Sequence, residues 1–230
     1  MVTPTTHRSP SHDRIRWRVP RLLRRSAEVL RWEGIRGLAY KALGRTVYRH
    51  VVLLELDLER FDAAPRARTP IEVRRLGEQD LAPYLALLAH EREDEIRQRW
   101  TAGHIGFAAW QEQRLVSASW FSPGDGWIPE IQHRLELRPG QIYGYGSYTA
   151  PDFRGKNIAP ARTATAYRRL RADGYESVVV FVLPENRSNF RVTSKLGFRR
   201  VGVAGVVRLG LFCVRFIRAY GGSTRWRIER

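Results

Sequence analysis

The chain has 230 residues, a formal net charge of +17, 43% apolar residues and 11% aromatic residues, which excludes a globally disordered protein. Its single cysteine excludes an internal disulfide and a cysteine-based zinc site. No apolar run reaches the roughly 18 residues that a membrane-spanning helix needs. The charge is concentrated at the ends: residues 1–50 hold 12 Lys and Arg against 3 acids, and residues 199–230 hold 8 against 1. These basic ends suit nucleic acid, an anionic membrane surface or an acidic partner. The alternative is that the arginines are simply solvated.

The first 70 residues are predicted to be a tail and an extension. Residues 1–13 are polar with two prolines and predict a disordered tail. Over 19–45 apolar residues recur every three or four positions among arginines, which predicts a basic helix, or two short ones because glycines interrupt it. Residues 47–59 read as a strand that needs a partner, and residues 60–70 complete the extension 14–70 as a linker. We expect the helix to pack on the domain that follows; the alternative is an anionic membrane surface, with Trp17, Leu22, Leu23 and Trp32 inserted.

The domain that follows, 71–220, is predicted to be mixed α/β (α+β), with a twisted central sheet flanked by helices, and it precedes a basic tail, 221–230. Helices are expected within 77–100 as one or two segments, up to Asp173 over about four turns, and over 187–197, where Gly197 ends the last helix. Strands are expected at 71–76, 104–111, 114–122, 131–137, 141–150, 176–183 and 205–220, and the second and third of these are joined by a tight turn at Glu112–Gln113.

A short basic turn follows the strand 141–150. Pro151 prevents further ladder pairing, and Arg154, Gly155 and Lys156 come just before a helix. A helix start exposes unpaired N–H groups and the positive end of the helix dipole, so this turn predicts an anion site. The alternative is an ordinary strand-to-helix turn whose basic side chains face water.

Two motifs in order make residues 71–204 resemble the GNAT superfamily of acetyl-CoA-dependent acyltransferases. The first is RGKNIA (154–159), which fits the pattern Arg/Gln-x-x-Gly-x-Gly/Ala except that Asn157 replaces the usual Gly. Asn tolerates a positive φ better than most residues, so the loop geometry is expected to survive. The second motif is Asn186, which opens a helix that ends in Lys-Leu-Gly-Phe (195–198). Both motifs in this order are fairly specific.

The resemblance implies an N-acetyltransferase that moves an acetyl or other short acyl group from acetyl-CoA, or another acyl-CoA, to a primary amine without a metal. It implies that the loop amides hold the pyrophosphate and that the pantetheine arm lies along the splayed end of the fourth family strand. A main-chain N–H near Tyr148 would polarise the thioester carbonyl. The implied cofactor-binding residues are Tyr148, Thr149, Ala150, Arg154, Gly155, Lys156, Asn157, Ile158, Ala159, Asn186 and Asn189.

The catalytic groups are less well defined, because the strand 141–150 lacks the Glu that many members carry there. Strand alternation places Tyr143, Tyr145 and Ser147 on one face up to any bulge, and an unshifted phenol is a poor base at neutral pH. The family's thiolate-protonating Tyr falls at Thr193, a weak acid, which leaves water or a tyrosine as the acid. A water chain that ends at Glu130 or His133 is a further alternative for the base. The candidate catalytic residues are Tyr145, Tyr143, Ser147 and Thr193; a non-catalytic cofactor-binding protein is the alternative.

Other patterns have simpler structural explanations. Residues 90–95, HEREDE, read as a charged helix face rather than a metal site, and GYG (144–146) as a bulge or a close approach. Cys213 reads as a buried strand thiol, and Trp110, Trp120 and Trp127 as core rather than the lining of an acceptor pocket.

Two further hypotheses concern partners. One is a nucleic-acid-binding protein that uses the basic ends, and the other is an aminoacyl transferase that uses charged tRNA and acts on cell-wall precursors. The acceptor, a small-molecule or peptide amine, and the oligomeric state stay open, and a homodimer is compatible with the sequence. Cysteine usage and the missing apolar leader predict a cytoplasmic protein, peripheral at the membrane if the basic helix binds there.

Overall fold

The computed structural model describes residues 48–209 and 212–220. The predicted tail 1–13, the helix over 19–45 and the tail 221–230 lie outside these residues. The strands are β1 (Tyr48–Asp57), β2 (Glu72–Arg75), β3 (Ile105–Gln111), β4 (Arg114–Ser122), β5 (Asp125–Ile128), β6 (His133–Glu136), β7 (Gln141–Thr149), β8 (Ser177–Val182), β9 (Arg199–Leu209) and β10 (Phe212–Ala219). The helices are α1 (Leu81–Leu87), α2 (Glu93–Thr101), α3 (Ile158–Ala172) and α4 (Arg187–Lys195), and short 3₁₀ turns span Glu78–Asp80 and Pro151–Phe153.

Eight strands form one sheet in the order β10-β9-β1-β8-β7-β4-β3-β2, and β5 pairs with β6 in a separate hairpin. Every neighbouring pair is antiparallel except β7 and β8, which are parallel. The predicted mixed α/β architecture is therefore confirmed. The strand predicted over 47–59 is present as β1 and lies inside the sheet, between β8 and β9.

Two strand predictions differ from the structure. The single strand expected over 205–220 is a hairpin of β9 and β10, because the chain reverses and Phe212 pairs back on Leu209. The strand expected near 131–137 has an unpredicted partner, β5, in the turn-rich segment before it. The hairpin turn at Glu112–Gln113 is confirmed, with Glu112 at a φ of 53°.

Helices cover both faces of the sheet. Tyr84 of α1 and Ile96 of α2 pack with Trp120 on one face, and Tyr167 of α3 packs with Phe121 on the other. Alternation explains this division, because Trp120 and Phe121 are consecutive residues of β4. In the part of the chain that the structure describes, no helix has the length and apolarity that a bilayer span requires.

The β5–β6 hairpin packs on the same face as α1 and α2. Ile128 and Leu135 of the hairpin are fully buried against a cluster that includes Leu53 of β1 and Val179 of β8. Tyr145 of β7 contacts both this cluster and the α1–α2 cluster. The hairpin and the two helices therefore flank Tyr145 on this face of the sheet.

Side-chain burial confirms two of the tryptophan predictions and contradicts the cysteine prediction. Trp110 and Trp120 are core residues, whereas Trp127 is 50% exposed on the outer side of the hairpin. Cys213 is exposed, so the prediction of a buried thiol is wrong. The reason is that Cys213 lies on β10, the last strand of the sheet, where most side chains face solvent.

Glu55 of β1 joins the ends of four strands. Its carboxylate, 2% exposed, accepts hydrogen bonds from Gln141 of β7 (2.7 Å), Ser177 of β8 (3.2 Å) and Arg199 of β9 (2.9 Å). Arg138, just before β7, donates a fourth at 2.9 Å. These bonds hold β7 and β8 together at the end of the sheet where their parallel pairing begins.

Candidate functional site

β7 and β8 pair only briefly and then diverge. Their parallel register covers Gln141–Tyr143 on β7, opposite Ser177–Val179 on β8. Beyond Tyr143, β7 stays paired with β4 up to Thr149, and β8 stays paired with β1 up to Val182. A gap therefore opens between two neighbouring strands, and the main-chain polar groups along its inner edges have no strand partner.

A bulge lies in β7 beside this gap. Tyr145 is opposite Trp120 and Tyr148 is opposite Ala118, so Gly146 and Ser147 share one residue of β4. Gly146 has a φ of +61°, a conformation that strains other residues. The prediction that GYG marks a bulge is confirmed.

The bulge breaks the side-chain alternation that the sequence predicted. The rings of Tyr143 and Tyr145 stack with centroids 5.9 Å apart on the α1–α2 face. Ser147 instead accepts a hydrogen bond (2.8 Å) from Arg162 of α3, on the opposite face. Alternation therefore places the two tyrosines together and fails for Ser147.

Arg162 of α3 hydrogen-bonds to the bulge from the α3 side of the sheet. The sequence analysis did not predict this role. It is fully buried, and its guanidinium donates to the Ser117 hydroxyl (2.5 Å), the Ala118 carbonyl (2.5 Å), the Tyr148 carbonyl (3.2 Å) and the Ser147 hydroxyl. Burial lowers the pKa of Arg162 to about 10, so it stays charged at neutral pH. The sequence contained one indication of this role. Arg162 comes four residues after the buried Ile158, which places it on the inner face of α3.

The main chain of Thr149 faces the gap. The Tyr148 carbonyl is held on the β4 side by Ser117 (2.7 Å) and Arg162. Since the peptide bond is trans, the Thr149 N–H points the opposite way, toward the space that β8 leaves. The Thr149 carbonyl accepts from Arg154 Nε at 3.2 Å. Ala150 is different: it is buried, and its N–H donates to Val116 of β4 at 2.9 Å.

The loop after Pro151 has the conformation that the sequence predicted. Gly155 has a φ of +78°, and Asn157, at the N-cap of α3, has a φ of 60°. Asn157 Nδ2 donates to the Arg66 carbonyl (2.6 Å), and Arg68 N donates to the Lys156 carbonyl (2.8 Å). Residues 66–68 therefore anchor the loop through these two hydrogen bonds.

The start of α3 offers main-chain donors beside open space. Ile158 and Ala159 are its first two residues, and N–H groups in a first turn have no carbonyl partner within their helix. A side chain added at Gly155 would meet no atom within 4 Å. Lys156 is exposed, with Nζ 4.7 Å from the centre of the Phe153 ring. Main-chain donors at a helix N-terminus beside open space are the features that favour an anion site.

The predicted residues of α4 are tied to their own helix. Asn186 is the N-cap, and its side-chain oxygen accepts from Asn189 N at 3.0 Å. The buried Thr193 hydroxyl lies 3.1 Å from the Asn189 and Phe190 carbonyls. Its proton is directed into the helix and away from the gap.

Tyr145 contacts a histidine that the sequence analysis did not single out. Its hydroxyl lies 2.5 Å from His104 Nδ1, and the two rings meet edge to face. Arg99 lies over the Tyr145 ring at 5.6 Å and is paired with Glu91 at 2.7 Å. Sequence gave little signal for His104, since its partner is 41 positions away. Its place before an apolar strand was the only signal.

The surroundings of Tyr145, Tyr143 and His104 shift their pKa values. Burial raises the pKa of Tyr145, and burial raises that of Tyr143, whose hydroxyl donates to the Trp127 carbonyl at 3.0 Å. Burial first, and then the charge of Arg99, lower the pKa of His104, while Asp125 acts in the opposite direction. Both phenols are therefore protonated at neutral pH, and the lowered pKa of His104 favours its neutral form.

The remaining candidate groups lie on the hairpin and at residues 90–95. His133 is buried in β6, and the charge of Glu130 contributes to the raised pKa of Tyr143. In the segment HEREDE, Glu91 pairs with Arg99, and Glu93 pairs with Arg97 at 3.0 Å. The described residues contain no group of three or more His, Cys, Asp and Glu side chains placed to hold a metal ion.

A model of the acetyltransferase (GNAT) family matches residues 74–198, more than half of the chain. The chain belongs to this family. The matched region of the GNAT domain contains the gap between β7 and β8, the loop 154–159 and α4. β1, β9 and β10, which complete the sheet, lie outside it.

Solved structures share the GNAT fold at low sequence identity. A GCN5-related N-acetyltransferase from Sphaerobacter thermophilus is 12% identical with a TM-score of 0.53, over 79% of this chain and 56% of that one. A GCN5-related glucosamine N-acetyltransferase region of a fungal multi-domain GH3 β-N-acetylglucosaminidase is 14% identical with a TM-score of 0.54, over 77% and 22%. A GNAT-family structure from Novosphingobium aromaticivorans is 18% identical with a TM-score of 0.49, over 69% and 62%. The chain thus spans less than two thirds of each of these, and no curated protein matches it.

Proposed function

We propose that this GNAT protein transfers an acetyl or other short acyl group from acyl-CoA to a primary amine by direct attack of the amine on the thioester. The observation that carries the proposal is the gap between β7 and β8, which leads directly to the loop 154–159. An unpaired strand edge that ends at a helix N-terminus suits a ligand with an amide-bearing arm and a diphosphate.

The main chain beside the bulge supports binding of the acyl donor. Thr149 presents an N–H and a carbonyl to the gap, so the amide groups of a pantetheine arm can pair there as an added strand does. Ile158 and Ala159 amides with the Lys156 side chain would hold the diphosphate. The Thr149 N–H is the best placed donor near Tyr148 to polarise a thioester carbonyl, because Arg162 fixes the peptide from the other side.

The amine would enter on the face of the sheet that α1, α2 and the β5–β6 hairpin cover. Tyr145 lies between the β5–β6 hairpin and α1–α2, next to the bulge, so a nucleophile beside it would approach the gap from the side opposite α3. An amine must lose its proton before it attacks, because an ammonium has no lone pair. Tyr145 and neutral His104 are the polar groups that the amine would meet beside the hairpin.

Coenzyme A binding tests this proposal. We expect coenzyme A to raise the melting temperature of the wild-type protein and to bind in calorimetry. The Gly155→Glu variant should lose this binding, because a carboxylate would lie where the diphosphate is expected. Gly174→Glu is the matched control: Gly174 has a φ of +91° and open space beside it, but it lies at the far end of α3. Equal coenzyme A affinity in both variants would contradict the assigned site.

A further inference from the structure

We propose that Tyr145 and His104 form a proton relay that takes a proton from the attacking amine and returns it to the departing thiolate. This inference rests on the proposed acyl transfer and assigns the acid–base chemistry that the family match leaves open. Tyr145 is the member that would touch the substrate; His104 acts through it.

The contact geometry supports a relay rather than two independent groups. The Tyr145 hydroxyl and His104 Nδ1 are 2.5 Å apart, within the range of a strong hydrogen bond. Tyr145 directly precedes the bulge residues Gly146 and Ser147, and its ring lies on the acceptor face of the sheet. The phenol is thus next to the place where β7 leaves β8, and His104 stands behind it.

The surrounding charges act on the pKa values of both partners. Arg99 of α2 faces both rings, Asp125 of β5 faces His104, and Glu91 pairs with Arg99 from the turn before α2. The pKa of Tyr145 is raised by burial and that of His104 is lowered by burial and by Arg99. In the relay the phenol is the donor to Nδ1, and the neutral ring carries its own proton on Nε2.

The proposed step is balanced without another reactant. The nitrogen of the neutral amine forms a bond to the thioester carbon, the C–S bond breaks, and sulfur leaves with the electron pair. The nitrogen gives a proton to the Tyr145 oxygen while the Tyr145 proton moves to His104 Nδ1. The reverse movement then delivers one proton to sulfur, so the products are an amide, a free thiol and the original relay.

The other candidate groups are already engaged. Tyr143 donates to the Trp127 carbonyl, Thr193 is directed to carbonyls of its own helix, and Ser147 is bound by Arg162 on the opposite face. Among the predicted catalytic residues, Tyr145 is therefore the one whose hydroxyl has a histidine as its hydrogen-bond partner.

The tautomer of His104 tests the relay without depending on turnover. In the nitrogen NMR spectrum of the coenzyme A-bound protein at pH 7.5, we expect His104 to be neutral with the proton on Nε2. Its signals are assigned by their loss in His104→Asn, since the chain has six histidines. A charged ring, or a proton on Nδ1, would overturn the relay, because Nδ1 could then not accept the phenol proton.

Kinetics separate proton transfer from positioning. Asn at 104 keeps an acceptor atom near the Nδ1 position but has no basic nitrogen, so it can hold the phenol and cannot take its proton. We expect His104→Asn and Tyr145→Phe each to lower kcat about 10²-fold, with unchanged coenzyme A affinity, for the best primary amine of a panel assayed by thiol release. At saturating amine, the kcat of the wild type should fall at low pH, where His104 becomes protonated. This acid limb should be absent in His104→Asn. His90→Asn, an exposed histidine, is the matched control.

The outcomes distinguish the relay from the proposed function. Wild-type kcat and an unchanged acid limb in His104→Asn would overturn the relay while acyl transfer stands. A wild-type protein whose melting temperature does not respond to coenzyme A would defeat the proposed function itself. Coenzyme A binding together with a neutral Nε2–H tautomer and a large loss of kcat in His104→Asn supports both.

Discussion

Asn157 shows how one residue shapes the loop 154–159. It stands where the family pattern has Gly, and it adopts a left-handed conformation that Asn tolerates and β-branched residues do not. Its side chain adds a hydrogen bond to the Arg66 carbonyl that Gly could not make. The substitution therefore keeps the backbone path and adds an anchor to the preceding linker.

Substitutions at Asn157 test this conclusion. Asn157→Val should lower the free energy of unfolding by about 2 kcal/mol, because a β-branched residue is strained in the left-handed region and the Arg66 bond is lost. It should also weaken coenzyme A binding. Asn157→Gly loses only the anchor and should keep most of the affinity. Denaturant unfolding and calorimetry measure both effects, and equal behaviour of the two variants would contradict this account.

Arg162 is the second residue whose effect can be isolated. Arg162→Met keeps a long side chain but leaves two carbonyls and two hydroxyls without their buried donor. We expect it to lower the free energy of unfolding by about 3 kcal/mol. Arg169→Met, at an exposed position of the same helix, should change it by less than about 0.5 kcal/mol. Denaturant unfolding compares them, and a small effect at Arg162 would mean that water replaces the guanidinium.

At the scale of elements, the β5–β6 hairpin packs beside Tyr145 on the face of the sheet where we propose that the amine enters. It is held by buried Ile128 and Leu135, and by the hydrogen bond from Tyr143 to the Trp127 carbonyl. Because Tyr143 and Tyr145 stack on one strand, the hairpin and the proposed relay share a support. Their contributions can still be separated, since the two hydroxyls have different partners.

Tyr143→Phe removes only the hairpin bond. We expect the free energy of unfolding to fall by about 1 kcal/mol and the KM for the amine to rise, while coenzyme A affinity and kcat change little. This contrasts with Tyr145→Phe, which should lower kcat. Thermal unfolding and steady-state kinetics on the same amine measure the contrast. A kcat loss in Tyr143→Phe as large as that in Tyr145→Phe would contradict the separation.

Local sequence patterns predicted most elements but not the contacts between them. Continuous apolar runs located β1 and β8, and Gly197 correctly ended α4, with a φ of +84°. The partner of Tyr145 could not be read in the same way, because His104 directly precedes β3, a different strand, and is brought near only by the sheet order. The prediction that Cys213 is buried was wrong because position in the sheet cannot be read from composition. An edge strand and an inner strand have similar composition.

At the scale of the whole molecule, the sheet depends on a strand outside the matched family region. β1 lies between β8 and β9, and its Leu53 is fully buried against the hairpin side. The basic ends, on which the nucleic-acid, tRNA and membrane hypotheses rest, lie mostly outside the described residues. Within the described part, the gap between β7 and β8 depends on how β1 fixes β8.

Leu53→Ala measures this dependence. We expect a loss of about 3 kcal/mol in the free energy of unfolding from the cavity left in the core, and weaker coenzyme A binding through β8. Val214→Ala, on the exposed edge strand β10, should change stability by less than about 0.5 kcal/mol. Both are measured by denaturant unfolding. An equally small effect at Leu53 would show that β1 is dispensable for the sheet.

The position of β1 has a consequence for biosynthesis. Glu55 lies 122 positions before its partner Ser177 and 144 before Arg199, so a ribosome releases β1 long before either neighbour exists. Until then the nascent chain carries a strand of buried-type residues with two open edges, which invites pairing with other chains. Maturation must therefore finish after translation of the C-terminal hairpin, at the slow pace of long-range strand pairing.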